Sequence, residues 1–338
     1  MADTPTIATT TARLRRLVRG LLDIGLAAAA FGWIAGRLVG DQRLTAQWLS
    51  YLPGLPLALL AGAWLLGRRT AARPLRVLGL ALLVLALADF LVFEVRHVPP
   101  GPAHPDDQTV VHWNIARGRA GTDRILATLH ADTPDLLLLS ELPRDPGFTG
   151  QVARATGLAH VRVLQGLLLA SRTPIHVKEG RVDLRNARGW SAEVEQGAAR
   201  LRILLVDVQS RPDLDRRAMA DDVAAWVAAQ PPGQPLLVVG DLNTPRRGES
   251  LRPLRAQLRH AYEVAGRGWP FSWPLPFPCY ALDHLWFSDR VVLSAFRYRF
   301  SLASDHLRQV GRLHLTPAPA PPRTSPTKAR LDPPPGAV

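Results

Sequence analysis

Cysteine is almost absent from this chain of 338 residues. Cys279 stands alone, so no intrachain disulfide framework can hold the fold, and no zinc-type spacing surrounds it. A solitary thiol leaves the compartment open, because exported proteins also lack disulfides. Lysine is nearly as scarce: Lys178 and Lys328 are the only two, and the net charge of +13 rests on arginine. The arginines are dispersed. Residues 1–97 hold 11 basic against 5 acidic side chains, and residues 98–338 hold 30 against 23. Such spreading argues against a dedicated nucleic-acid patch on charge alone. No internal repeat is visible.

What the chain does have is a concentration of apolar residues near its start. Three stretches, about Val18–Gly40, Trp48–Gly67 and Pro74–Phe93, each approach the roughly 20 residues that cross a bilayer as helix. Asp23 and Asp89 lie within them and are costly in lipid unless they face helices or headgroups. A lone signal peptide accounts for one stretch only; a buried helical domain is the competing reading. Arg13, Arg15, Arg16 and Arg19 precede the first stretch, and Arg68, Arg69, Arg73 and Arg76 separate the second from the third. By the positive-inside rule both segments are cytoplasmic. Residues 1–97 are therefore expected to be a multi-pass anchor in the inner (plasma) membrane, with the remainder periplasmic or otherwise extracytoplasmic.

Residues 98–108, rich in Pro and polar side chains, read as a linker. From Thr109, strand-length apolar runs alternate with helical patterns. Strands are expected near 110–115, 136–140, 166–170, 192–195, 201–208, 235–240, 282–287, 291–298 and 308–315. Helices are expected near 123–130, 148–156, 214–229 and 251–257. The mixture predicts an α/β sandwich over 109–315, two mixed sheets with helices outside. The Pro-rich segment 316–338 cannot bury a core and is expected to be disordered.

Polar residues recur at the ends of these strands, where open α/β sheets build their sites. In GDLNTP, Asp241 and Asn243 lie two apart, so extended backbone directs both to one side. SDHL offers Asp305 and His306, a carboxylate next to a proton-transfer group. PDLLLLSEL delivers Glu141, VVHWNIARG ends its strand on Asn114, and YALDHLWFS opens one with Asp283. Each alone has an ordinary explanation as a turn residue, a cap or a strand-edge charge.

Taken in order, Asn, Glu, Asp-x-Asn, Asp and Asp-His resemble the endonuclease/exonuclease/phosphatase superfamily. That is the fold of DNase I, AP endonucleases, inositol-phosphate 5-phosphatases and neutral sphingomyelinases. The phrase LLLASRTPI is similar to an internal strand of that family. The resemblance covers about residues 109–315 and implies a four-layer DNase I-like sandwich and metal-dependent phosphoester hydrolysis. It implies Glu141 as the principal ligand of Mg2+ (Mn2+ being the alternative ion), with Asn114 beside it contacting metal or phosphate. Asp305 becomes a further metal-side carboxylate. Asp241 orients or deprotonates the attacking water, Asn243 fixes phosphate oxygens, and Asp283 holds His306 against the phosphoryl group. Two positions depart from the pattern. LLVDVQS carries Asp207 where the family has a His, and an ionised Asp cannot donate a hydrogen bond; Gln209, on the same strand face, is the candidate replacement donor. Ala116 stands where AP endonucleases carry Asp, which argues against the abasic-site branch.

Three helices before such a domain resemble the VanJ-type membrane phosphatases. That resemblance implies a polyprenyl pyrophosphate or related lipid headgroup as substrate and the bilayer as partner. A membrane-bound nuclease acting on nucleic acid is the alternative, and a catalytically weakened binding protein a third. Trp269, Phe271, Trp273 and Phe277, in a Pro-rich loop, can stack bases, enter a bilayer surface or pack the site wall. The oligomeric state is not legible.

Overall fold

The structure is a computed structural model that describes residues 7–44, 46–211 and 213–317. The expectation for the tail lies, from residue 318, outside the described residues.

Helices α1 (Ile7–Val39), α2 (Gln47–Ser50), α3 (Gly54–Gly67) and α4 (Arg73–Ala88) come first, and α4 continues as a π-helical turn, Asp89–Glu94. Two segments, Arg16–Val39 and Arg73–Glu94, are long and apolar enough to cross a membrane. The expected middle span is broken instead. It begins as α2 and turns at Tyr51–Pro53, leaving α3 with 14 residues. At 1.5 Å per residue that is about 21 Å, short of a hydrocarbon core of about 30 Å. Both intramembrane-type carboxylates are paired. Asp23 accepts from Trp64 Nε1 and Arg68, each at 2.7 Å, and Asp89 meets Arg37 and Arg247, each at 2.9 Å. The outward faces remain apolar: Ile24, Phe31 and Leu38 are 68%, 75% and 82% exposed.

The rest forms two six-stranded mixed sheets. Strands β1 (Arg96–His97), β2 (Gln108–Asn114), β3 (Leu136–Ser140), β4 (His160–Leu164), β5 (Leu167–Ser171), β6 (Ile175–Leu184) and β7 (Ala187–Gln196) come first. They are followed by β8 (Ala199–Val208), β9 (Leu236–Asp241), β10 (Arg259–His260), β11 (Arg267–Gly268), β12 (Asp283–Phe287), β13 (Val291–Arg299) and β14 (Arg308–Leu315). One sheet has the order β10-β12-β9-β8-β7-β6, the other β13-β14-β2-β3-β5-β4, and β1 pairs separately with β11.

The sheets pack face to face. Leu201, Ile203 and Leu205 of β8 enter the core between them, while Leu204, Val206 and Val208 face outward. Those outer residues meet Met219, Ala220 and Val223 of helix α7 (Arg216–Ala228), whose N-cap Asp215 accepts from two backbone amides. On the other sheet Leu136 and Leu138 point inward. Leu137 and Leu139 pack under α5 (Thr122–Asp132) and α6 (Phe148–Thr156). Burial on both faces explains why these strands read as unbroken apolar runs. The sequence expectations omit β4 and β6 and the two-residue strands β1, β10 and β11, and shorten β7. β4 and β6 each close a sheet edge, where pairing on one side only permits the polar pattern of IHVKEGRVDL.

The segment 98–108 lies along the second sheet rather than standing free. Val98 and Gly101 donate to Gly266 and Ser294 carbonyls, and Asp107 pairs with His314 at 2.9 Å.

Candidate active site

Strand direction gathers the polar residues at one edge of the sandwich. β2 runs parallel to β3 and β8 parallel to β9, so these pairs deliver C-terminal ends together. β12 runs antiparallel to β9 and starts where β9 stops, placing Asp283 opposite Asp241. Gly240 makes this exit possible: its φ is +151°, and a Cβ there would lie 1.8 Å from the Val206 carbonyl oxygen. No other residue fits.

Asn114 bridges the two sheets. Its Nδ2 donates to Glu141 Oε1 at 3.3 Å and to Asp241 Oδ2 at 3.0 Å, while its Oδ1 accepts from the Ala116 amide. Glu141 leaves β3 with φ +51°, a conformation costing a Glu roughly 1 kcal/mol. The Arg117 amide donates to its carbonyl at 2.8 Å, and the Arg117 guanidinium lies 3.4 Å from its carboxylate. Asp241 accepts from the Asn243 amide at 2.9 Å. Asn243, also left-handed, is pinned by its Nδ2 donating to the Val208 carbonyl at 2.7 Å.

Asp283 and His306 form a buried pair, Oδ2 to Nδ1 at 2.8 Å. The ring's other nitrogen comes within 3.9 Å of Asp241 Oδ2. Burial opposes charge on the imidazole, but the Asp283 carboxylate outweighs it, aided by Asp241 and Asp305, and raises the His306 pKa to about 10. The same pairing holds Asp283 below its ordinary value against burial. Burial, and after it the Asp283 charge, push Asp241 up to about 8. Beneath the pair, His112 bonds Ser140 and Gln309 and is neutral, its pKa lowered by burial to about 4.

The structure thus brings Asn114, Glu141, Asp241, Asn243, Asp305 and His306 to one cavity of about 580 Å³. Asp283 stands directly behind His306. Asp305 is exposed at the rim and accepts from Trp273 Nε1 at 3.4 Å. Asp207 and Gln209 do not line the cavity. Asp207 pairs with Arg188 across β7 and β8, and burial, opposed by that arginine, lifts its pKa to about 6. Gln209 follows the end of β8 and is exposed, next to Ser210, which does line the cavity. Among the loop aromatics, Trp273 walls the cavity. Trp269 and Phe271 pack on Phe90, 5.7 and 5.8 Å away, and Phe277 is 84% exposed.

Sequence reading missed further lining residues: Trp48 and Tyr51 from the α2 region, Arg117, Arg119 and Arg216. Trp48 and Tyr51 sit inside an apolar run that reads as membrane, and Arg216 is one arginine among many. Neither has a local signal.

The donor set suits a divalent cation. Asp241, Asp283 and His306 offer ligand atoms within 4.8 Å of one another, but the last two satisfy each other. Glu141, with Asp305 on the same cavity lining, supplies oxygen donors for a hard ion, whereas Asn114 turns its Nδ2 toward Glu141 and Asp241 and serves there as a hydrogen-bond donor. Asp241 is raised first by burial and then by the Asp283 charge, and a cation beside it would offset both.

No curated protein matches the sequence. Solved structures do. An endonuclease/exonuclease/phosphatase family protein from Bacteroides thetaiotaomicron is 11% identical with a TM-score of 0.52, covering 61% of this chain and 97% of its own. A humanized D. rerio TDP2 carrying 14 mutations is 13% identical with a TM-score of 0.51, covering 62% and 99%. A functionally unknown conserved protein from Enterococcus faecalis V583 is 10% identical with a TM-score of 0.51, covering 62% and 100%. At such identities the likeness is one of fold. Residues 111–306, more than half the chain and every strand-end residue described above, match the family model. The chain therefore belongs to the Endonuclease/Exonuclease/phosphatase family, whose members are hydrolases acting on phosphoester bonds.

Proposed function

We propose that this protein is a membrane-anchored, divalent-metal-dependent phosphoesterase of the VanJ-type branch, acting on an extracytoplasmic lipid-linked or headgroup phosphate. The observation that carries the reading is the Asp283–His306 pair facing Asp241 across 3.9 Å, in a cavity that also holds Glu141 and Asn114. The anchor is supported by two apolar helices whose outward faces are exposed, a surface too large and apolar for water.

Glu141 and Asp305 would hold Mg2+ or Mn2+, which would supply charge neutralisation at the phosphoryl oxygens, while Asn114 donates to the Glu141 and Asp241 carboxylates and fixes them in place. Asp241 orients the attacking water and takes up its proton. His306, kept cationic by Asp283, donates from Nε2 to a phosphoryl oxygen and stabilises the charge that develops there. The second amide hydrogen of Asn243 is left for another oxygen, since the first is spent on Val208.

Purified full-length protein with Mg2+ should be offered polyprenyl pyrophosphate, sphingomyelin, supercoiled DNA and a generic phosphodiester in parallel. Turnover of a lipid phosphate is expected, abolished by chelation and reduced about 100-fold or more in Glu141→Gln. Preferential nicking of DNA would establish a nuclease instead. No turnover of any substrate would leave a binding protein on a hydrolase fold.

A further inference from the structure

The N-terminal helices reach into the catalytic cavity. Asp41 accepts from Ser250 N at 2.8 Å and Ser250 Oγ at 2.6 Å, and Gln47 Nε2 donates to the Leu214 carbonyl at 3.1 Å. Tyr51 Oη donates to Asp41 at 3.4 Å. These bonds lay the α2 region against the hydrolase fold, so that Trp48 and Tyr51 line the same cavity as Asp241 and His306.

Beside them stands Arg216, the first residue of α7. It is 1% exposed yet lines the cavity. Its two Nη atoms donate to the Gln209 and Arg211 carbonyls, and its Nε–H has no partner. Among the described residues no carboxylate lies within ion-pair distance of it. A guanidinium stays charged in a protein; Asp241 and Asp213 act on this one only from beyond ion-pair distance, so burial of the charge is relieved further when an anion joins it directly. Such a charge beside a phosphoryl site fits ligand recognition, since Arg matches oxyanions with several donors at once.

We propose that Arg216, Trp48 and Tyr51 form a second subsite of this cavity, which takes an oxyanion on the substrate other than the scissile phosphate. The ligand chemistry is a phosphoryl or carboxylate group close to the reacting phosphorus. The anchor then contributes a wall of the substrate site. The location of the scissile phosphate rests on the phosphoesterase reading; the subsite's binding does not require turnover.

Isothermal titration of the full chain in detergent, at fixed free Mg2+, separates the two. The probes are imidodiphosphate and phosphonoacetate, which carry a second phosphoryl or a carboxylate, and methylphosphonate, which carries neither. The wild type should bind at least one bifunctional probe tenfold or more tightly than methylphosphonate, and the better of the two identifies the second group. Arg216→Gln should erase that preference and Arg216→Lys restore part of it. Trp48→Ala, at a half-exposed position, should reduce the preference about threefold in folded protein. Equal affinity for all three probes in the wild type, or a preference unchanged in folded Arg216→Gln or in Trp48→Ala, would overturn the subsite. Absence of hydrolysis with these preferences intact would count against the phosphoesterase reading alone.

Discussion

Asp283 and His306 are both buried, and each leans on the other for its charge state. Neutralising Asp283 would release the imidazole from its tautomer and remove the main cause of its raised pKa. Asp283→Asn should therefore lower kcat/KM by about 100-fold to 10,000-fold, close to the loss in His306→Ala. The double variant should be little worse than either single, because residues acting as a unit are not additive. Multiplicative losses, measured on folded proteins, would separate the two roles. The residue types were legible in SDHL and in the Asp that opens its strand. Their pairing was implied only by the family resemblance, because the 22 intervening positions say nothing of which strand lies beside which. The departure at Asp207 shows the same limit. Its partner, Arg188, lies opposite it in the β7–β8 register, and only pairing reveals that.

At the scale of elements, the contact between α4 and the hydrolase fold decides how rigidly the anchor is held. Arg246 is fully buried and meets Glu94 at 2.6 Å, at the end of the π-helical turn; Arg247 reaches both Asp89 and Glu94. Removing one partner of a buried ion pair leaves the other charge stranded. Glu94→Ala is expected to destabilise the protein by about 3–5 kcal/mol, read as a lowered thermal midpoint in detergent. A change under about 1 kcal/mol would mean that Arg246 is satisfied by the Glu94 and Pro270 carbonyls, to which it also donates. Gly36 is a second point of contact: a Cβ there would lie 2.0 Å from the Leu49 carbonyl oxygen, so α1 and α2 approach at backbone distance. Apolar runs and flanking arginines made the helices legible as elements. The break at Tyr51–Pro53 and the docking of α2 were not, since hydropathy records how apolar a segment is and not what it covers.

At the scale of the whole molecule, the ends of the helices sort by side. Asp23 of α1 meets Arg68 after α3, whereas Asp41 after α1 and Glu94 after α4 meet the hydrolase fold. On the proposed topology the arginine-rich segments face the cytoplasm and the catalytic sheets the other side. Alkaline phosphatase fused after Leu315 should be active and a fluorescent protein there dark; the reverse would place the site in the cytoplasm.

The core carries a second whole-molecule property. Burial lowers the pKa of His284 to about 4 and of His260 well below its usual value. Unfolded, a histidine takes up its proton near pH 6.5. Between about pH 6.5 and 4 the unfolded chain holds the His284 proton and the folded chain does not, so this group costs stability as pH falls, about 1.4 kcal/mol per unit. Asp207 and Asp241, with raised values, pull the other way over part of that window. The difference between variant and wild type is therefore the readout. Denaturant unfolding of His284→Gln should lose less stability per pH unit than wild type on acidification from 6.5 to 4.5; parallel profiles would show that His284 is protonated in the fold.

Periodicity and strand-end chemistry were sufficient, from the sequence alone, for the layered α/β plan, the apolar anchor segments and the list of Asn114, Glu141, Asp241, Asn243, Asp283, Asp305 and His306. These signals are local: alternation reports burial of a strand's own faces, and a polar residue ending an apolar run is visible within a few positions. Only the tertiary structure decided that Asn114 ties the two sheets together, that Asp207 belongs to Arg188, that Gln209 is exposed outside the cavity lining, and that Trp48, Tyr51 and Arg216 share the catalytic cavity. Each of those depends on contacts between segments tens to hundreds of residues apart, and such contacts follow from how layers pack, which no short window of sequence records.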